Sequence, residues 1–225
     1  MSGSYARGMD EAEITRAVDD AYAALPESRI SWPNPRPRDT EPPDEAYSRV
    51  SDPRKYRIVG ARALAWQQAL AGLGLATAVS VPVTDLPWRL PVGAGTRLTP
   101  HAAGTEPLVL VTNALQDVPG CILTLGIGAP PAWLDPEPDC GCDACDFGSA
   151  NLLEAIDTSI GAIVRGGIVH VTGSGWHVTT TPATRQAGWS GTTEKPDVDR
   201  IIADARAGRP VPGAARTLVS GSWLT

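Results

Sequence analysis

The sequence predicts an α+β fold: a single domain with a mainly antiparallel sheet covered by helices. Three observations lead there. Short apolar runs bounded by Gly and Pro follow one another from residue 75 to 129, so strands come in consecutive groups, not in strict alternation with helices. Four other stretches carry apolar residues at helical spacing. At 225 residues the chain is long enough to bury a full core.

The first helix is expected over Asp10 to Leu25. Asp10 and Glu13 make a capping-box pattern, and Ile14, Val18, Ala21 and Leu25 fall on one stripe. Residues 26–53 are a Pro-rich connecting segment. Its seven prolines, from Pro26 to Pro53, exclude regular helix or central strand. Trp32 and Tyr47 argue that it lies across the body, because a free linker has little use for large rings. Asp52 and Pro53 then open a second helix as N-cap and N1. Val59, Ala63, Trp66, Leu70 and Leu73 form its face, and Gly72 and Gly74 end it.

Strands are expected at 76–83, 97–100, 107–112 and 120–127. Leu108 to Val111 and Ile122 to Leu125 read as buried on both faces. A third helix runs from Ser149 to Arg165, with Leu152, Ile156, Ile160 and Ile163 on one face and Gly166-Gly167 as its stop. A hairpin follows, from Ile168 to Thr172 and from Trp176 to Thr180, around Gly173-Ser174-Gly175. The last helix, about Pro196 to Ala207, buries Val198, Ile201, Ile202 and Ala205. The run Ala215 to Leu224 can add a final strand.

Between the second strand group and the third helix lies a Cys/Asp-rich loop, residues 135–148. It holds Cys140-Gly141-Cys142-Asp143-Ala144-Cys145, three of the chain's four cysteines. Thiols at this spacing hold a metal or take part in thiol chemistry. Zinc is the leading ion, because it favours thiolate and takes four ligands in structural sites. Gly141 lets the backbone bend so that both flanking sulfurs meet one ion. Cys140, Cys142 and Cys145 are the expected ligands. His177, His170, His101, Cys121 and Asp143 are candidates for the fourth, with Asp139 beside them. Cys121, at the head of a strand, also reads as a small buried hydrophobe. A two-residue turn at Ser174-Gly175 puts His170 and His177 on one sheet face; a three-residue turn puts them on opposite faces.

Other chemistries stay open at this point. A zinc hydrolase needs an open metal position and a general base. A thiol oxidoreductase can use Cys142 and Cys145 ahead of a helix, although Asp139, Asp143 and Asp146 disfavour thiolate there. Inert packed thiols, or a hard cation on the three aspartates, complete the set. No nucleophile elbow, dinucleotide loop or phosphate loop accompanies the cysteines, which leans the reading toward a non-enzymatic binding or interaction protein.

The net charge of −6, without a basic cluster, argues against nucleic acid as a partner. Arg36, Arg38, Arg49, Arg54 and Arg57 alternate with acidic residues and read as a mixed solvated surface. No apolar run is long enough to span a bilayer, and Met1 to Asp10 lacks a signal-peptide core. The expected place is therefore the cytoplasm, where thiols stay reduced. A protein or a small molecule remains as the partner class.

Pro138 to Ser149, together with Leu152-Leu153-Glu154 and Gly175-Trp176-His177, resembles a family of uncharacterised actinobacterial proteins, a domain of unknown function. The resemblance covers most of the chain. It implies an actinobacterial, cytoplasmic protein and brings no activity, substrate or ligand set with it.

Overall fold

A computed structural model describes residues 10–36, 40–86, 93–182, 184–190 and 195–224. The expectations for residues 1–9, Pro37, Arg38 and Trp88 lie outside the described residues. The architecture is α+β, and every pairing between its strands is antiparallel. The strands divide into two sheets, whereas one was expected. Chain contacts separate two units, Met1–His101 with Pro107–Asp157, and Ala102–Glu106 with Thr158–Thr225.

In the first unit, helix α1 (Glu11–Ala23) is capped by Asp10 as its sequence implies and buries Ile14 and Val18. Helix α2 (Ile58–Gly72) packs against α1 and the sheet. It is entered through a 3-10 turn, Pro53–Arg57, and Asp52 caps that turn, not the helix itself. Gly74 takes a φ of +69°, and the amides of Gly74 and Leu75 bond back to Ala71 and Leu70 in a Schellman end. α2 is buried on almost all sides, where its spacing implied one face. Arg62 is buried with it, because its guanidinium pairs with Asp157 and Asp19.

The first sheet runs β1 (Ala76–Val81), β2 (Gly93–Pro100), β3 (Leu108–Leu115), β4 (Val118–Ile127) and β5 (Ala132–Trp133), in that spatial order. β3 and β4 are buried along most of their length, as expected. β2 begins four residues before the expected start at Arg97. Gly93 and Gly95 hid it, yet both belong in the ladder. A Cβ there would stand 2.6 Å from the Thr112 carbonyl and 2.8 Å from the Val81 carbonyl.

Helix α3 (Ser149–Arg165) buries Leu152, Ile156, Ile160 and Ile163, the expected face. In the second unit the sheet order is β8 (Arg185–Trp189), β7 (Trp176–Thr180), β6 (Ile168–Gly173) and β9 (Ala214–Ser220). Helix α4 (Val198–Arg206) lies on β6, β7 and β9 and buries Ile201, Ile202 and Ala205 against Val169, Val171 and Val178. No helix among the described residues is long and apolar enough to cross a membrane.

Candidate metal centre

The Cys/Asp-rich loop is fixed at its start by β4. Leu123 and Glu137 exchange two backbone hydrogen bonds of 2.8 Å. Gly141 then turns the chain with a φ of +69°, and a Cβ on it would stand 2.8 Å from Leu115 Cδ2. Only glycine combines that φ with that contact. The turn brings Cys140 Sγ and Cys142 Sγ to 3.3 Å. Residues Asp143–Cys145 form one 3-10 turn that carries Cys145 back to the pair. All three sulfurs lie within 4.8 Å of one another. Each is a free thiol, and a sulfur pair at 3.3 Å is far from the ~2.05 Å of a disulfide. The group can hold a metal ion.

Cys142 is the inner member, 7 % exposed and packed with Ala46 and Ala144, while Cys140 and Cys145 are exposed. Burial pushes the Cys142 thiol up. Hydrogen bonds from the Cys140 and Cys145 thiols and from the backbone amides of Cys145 and Ser48 outweigh it, and the thiol sits at about 7. The neighbouring Cys140 thiol, then burial, push Cys145 up to about 12. One thiolate is therefore easy to form in the cluster, and its negative charge makes the next one costly without a cation.

The Pro-rich segment holds this loop from outside. Trp32 donates its ring N–H to Asp146 at 2.8 Å, and its amide and carbonyl bond to Ser149. The Arg36 guanidinium donates to the carbonyls of Asp143 at 2.9 Å and Asp146 at 3.1 Å, and also to that of Ala144. Asp143 accepts from Arg49 Nε at 2.8 Å and from the amide and hydroxyl of Ser51 at 2.9 and 2.6 Å. Partial burial works against its charge, yet Ser51 and Arg49 hold the carboxyl down to about 2. Lys55 Nζ reaches Asp146 Oδ2 at 2.5 Å and stands 5.2 Å from the ring centroids of both Trp32 and Tyr56.

These contacts correct one expectation. Arg36 is half-buried and binds the carbonyls of the cysteine loop, whereas Arg49 stays on an exposed mixed-charge surface, as expected, and reaches Asp143 from there. Asp146 accepts from Lys55, Trp32 and the Gly148 amide. The segment does lie across the body at Trp32, whereas Tyr47 is 51 % exposed.

The candidates for a fourth ligand are placed as follows. Among the described residues, no fourth His, Cys, Asp or Glu joins the three sulfurs. His101 uses both ring nitrogens, on Thr77 Oγ1 and the Gly74 carbonyl, each at 2.8 Å. Cys121 is fully buried, its thiol donates to the Pro53 carbonyl at 3.3 Å, and burial pushes it up to about 11. Asp143 is committed to Arg49 and Ser51. In the second unit, Gly173 pairs with Trp176 across a two-residue turn, so His170 and His177 do share a face. His170 Nδ1 is engaged with Thr179 Oγ1 at 2.8 Å, and the His177 ring lies over Gly188.

A cavity of about 220 Å³ opens beside Cys145. Tyr56 lines it and is 3 % exposed, yet its hydroxyl is buried without a partner. Burial, and the negative charge of Asp146 and Asp143 after it, raise the phenol above its usual range, so it stays a donor. Sequence reasoning missed Tyr56, Arg36 and Lys55. The available signal was that Lys55 is one of only two lysines, set among rings and aspartates. No curated protein and no solved structure matches the chain. A family model, however, matches residues 18–224, nearly the whole of it, and the chain thus belongs to the family of unknown function DUF6226.

Proposed function

We propose that this is a zinc-binding protein in which Cys140, Cys142 and Cys145 supply three thiolates. In this reading the ion is structural, fixing the loop ahead of α3 for a binding or interaction role. The observation that carries it is the convergence of three free sulfurs within 4.8 Å. A tetrahedral ion with zinc–sulfur bonds of about 2.3 Å separates its sulfurs by about 3.8 Å, which falls between the 3.3 Å of the closest pair and the 4.8 Å limit. Amide N–H groups aimed at the Cys142 sulfur support a metal thiolate. Soft sulfur favours zinc over calcium or magnesium.

A second reading is thiol exchange at Cys142 with Cys145. The lowered Cys142 thiol favours it. Its burial counts against it, since an attacking thiolate must be reached by the partner disulfide. Elemental analysis of protein purified under reducing conditions without chelator separates the two, paired with thiol labelling read by mass spectrometry. Near one zinc per chain, with the three cysteines protected until a chelator is added, is expected. A metal-free chain with a reactive Cys142, or with a Cys142–Cys145 disulfide, would reject the zinc reading.

A further inference from the structure

The second unit carries a cavity of its own, about 360 Å³ in volume. That lies within the roughly 300–1,000 Å³ of small-molecule sites. Trp176 forms one wall. Its half-buried ring lies against Gly173, where a Cβ would stand 2.2 Å from it, and packs beside the apolar cluster under α4. The ring is thus held in place by the fold itself. Ile201, Pro196 and Pro212 add apolar lining. Trp176 pairs directly with Trp189 across β7 and β8, so the two rings share a face of the sheet.

Charge decides what this cavity takes. Asp197 and Asp204 line it, and both carboxylates are already engaged. Asp197 accepts from the Arg200 amide at 3.1 Å as the cap of α4, and Asp204 Oδ1 accepts from Arg209 Nε at 2.8 Å. The cations on the wall, Lys195 and Arg200, are held less tightly. Arg200 Nε stands 3.6 Å from Asp204 Oδ2, too long for a good hydrogen bond, and its side chain is mostly exposed. Lys195 Nζ lies 5.6 Å from the centroid of the Trp189 ring and, among the described residues, meets no carboxylate. Two cations with donors to spare beside a fixed indole fit an anion with a flat apolar body. The guanidinium fork matches a carboxylate in particular.

We propose that this cavity binds a small aromatic carboxylate. The ligand's ring packs on Trp176 between Pro196 and Pro212, and its carboxylate accepts from Arg200 and Lys195. Lys195 keeps its place over Trp189 while it donates. Binding makes and breaks no covalent bond. The site does not rest on the zinc reading, because none of its residues belongs to the cysteine loop.

The test uses the full chain and 4-fluorophenylacetate, followed by fluorine NMR. Its neutral amide keeps the ring without the charge, and acetate keeps the charge without the ring. Saturable binding of the acid at one site per chain is expected, with the amide and acetate each weaker by about tenfold. Arg200→Gln and Lys195→Gln, both at exposed positions, are each expected to weaken the acid about threefold and the double variant about tenfold, with the amide unchanged. The amide serves as the check that the cavity is intact in the variants. Absence of saturation by the acid overturns the proposal. Equal binding of acid and amide, or of acid and acetate, overturns it as well. So does a double variant that leaves the acid's affinity unchanged or weakens acid and amide alike.

Discussion

Arg36→Met should release the cysteine loop without touching a cysteine. The guanidinium donates to the carbonyls of Asp143, Ala144 and Asp146, three successive anchors on the turn that carries Cys145. Hydrogen bonds to a charged group are worth about 1.5–3 kcal/mol each when well buried. This site is partly buried, and water can reoccupy a freed carbonyl, so about 1 kcal/mol per bond is the fitting figure. The sum is about 3 kcal/mol, or roughly a hundredfold rise in the open population of the loop. The assay is the labelling rate of Cys142 in chelated protein, followed by mass spectrometry. Cys142 is 7 % exposed, so its labelling waits on opening and tracks that population. Arg36→Lys keeps the charge but not the fork, and should recover about one bond's share. A rise of less than about threefold in Arg36→Met would refute the claim that this arginine holds the loop.

Gly141→Ala should cost about 2 kcal/mol in urea unfolding and lower metal retention, because Ala is strained at a φ of +69° and its Cβ meets Leu115; a loss under about 0.5 kcal/mol would remove the turn argument. Burial, then Arg216 and His177, hold His170 down at about 4 against an ordinary 6.5, so the unfolded chain takes up the proton first as pH falls. Stability should therefore be full above pH 6.5 and decline by up to about 3 kcal/mol by pH 4. His170→Gln should flatten that decline in unfolding curves at matched pH, and an unchanged slope would count against the buried neutral imidazole.

Much of the fold could be read from the sequence because its signals are local. The stripe Leu152, Ile156, Ile160, Ile163 and the stop at Gly166-Gly167 need only helical spacing, and both hold in α3. The half-strand at Gly93–Thr96 could not be read the same way. Its glycines are there because the neighbouring strands' carbonyls approach closely, which is a fact about partners far along the chain. β8 carries no fully buried residue, so it offered no apolar signal. The site divides similarly. Cys140, Cys142 and Cys145 lie within six residues and Gly141 bends them together, so their meeting was legible. Trp32 and Ser149 are 117 positions apart, and no spacing rule connects them.

The long-range half of the site also weakens an objection to thiolates. Aspartates on either side of three thiols oppose their ionisation when read along the sequence. In space, Asp143 faces Arg49 and Asp146 faces Lys55, so two of the three flanking carboxylates are met by a cation of their own. Arg36 adds a positive charge beside the same turn while binding only neutral carbonyls. The Pro-rich segment and the 3-10 turn that follows it thus deliver compensating charge that the cysteine loop lacks. Prolines suit that task. A strap that spends its backbone on Ser149 and on the amide and carboxylate of Asp143 needs no ladder of its own, and fixed φ angles lower the entropy lost when it is laid down. Cutting the strap's cations should therefore raise the cost of the thiolate cluster even when all three cysteines remain. The Arg36 and Lys55 side chains are in this sense part of the candidate metal centre, although neither supplies a thiolate to it.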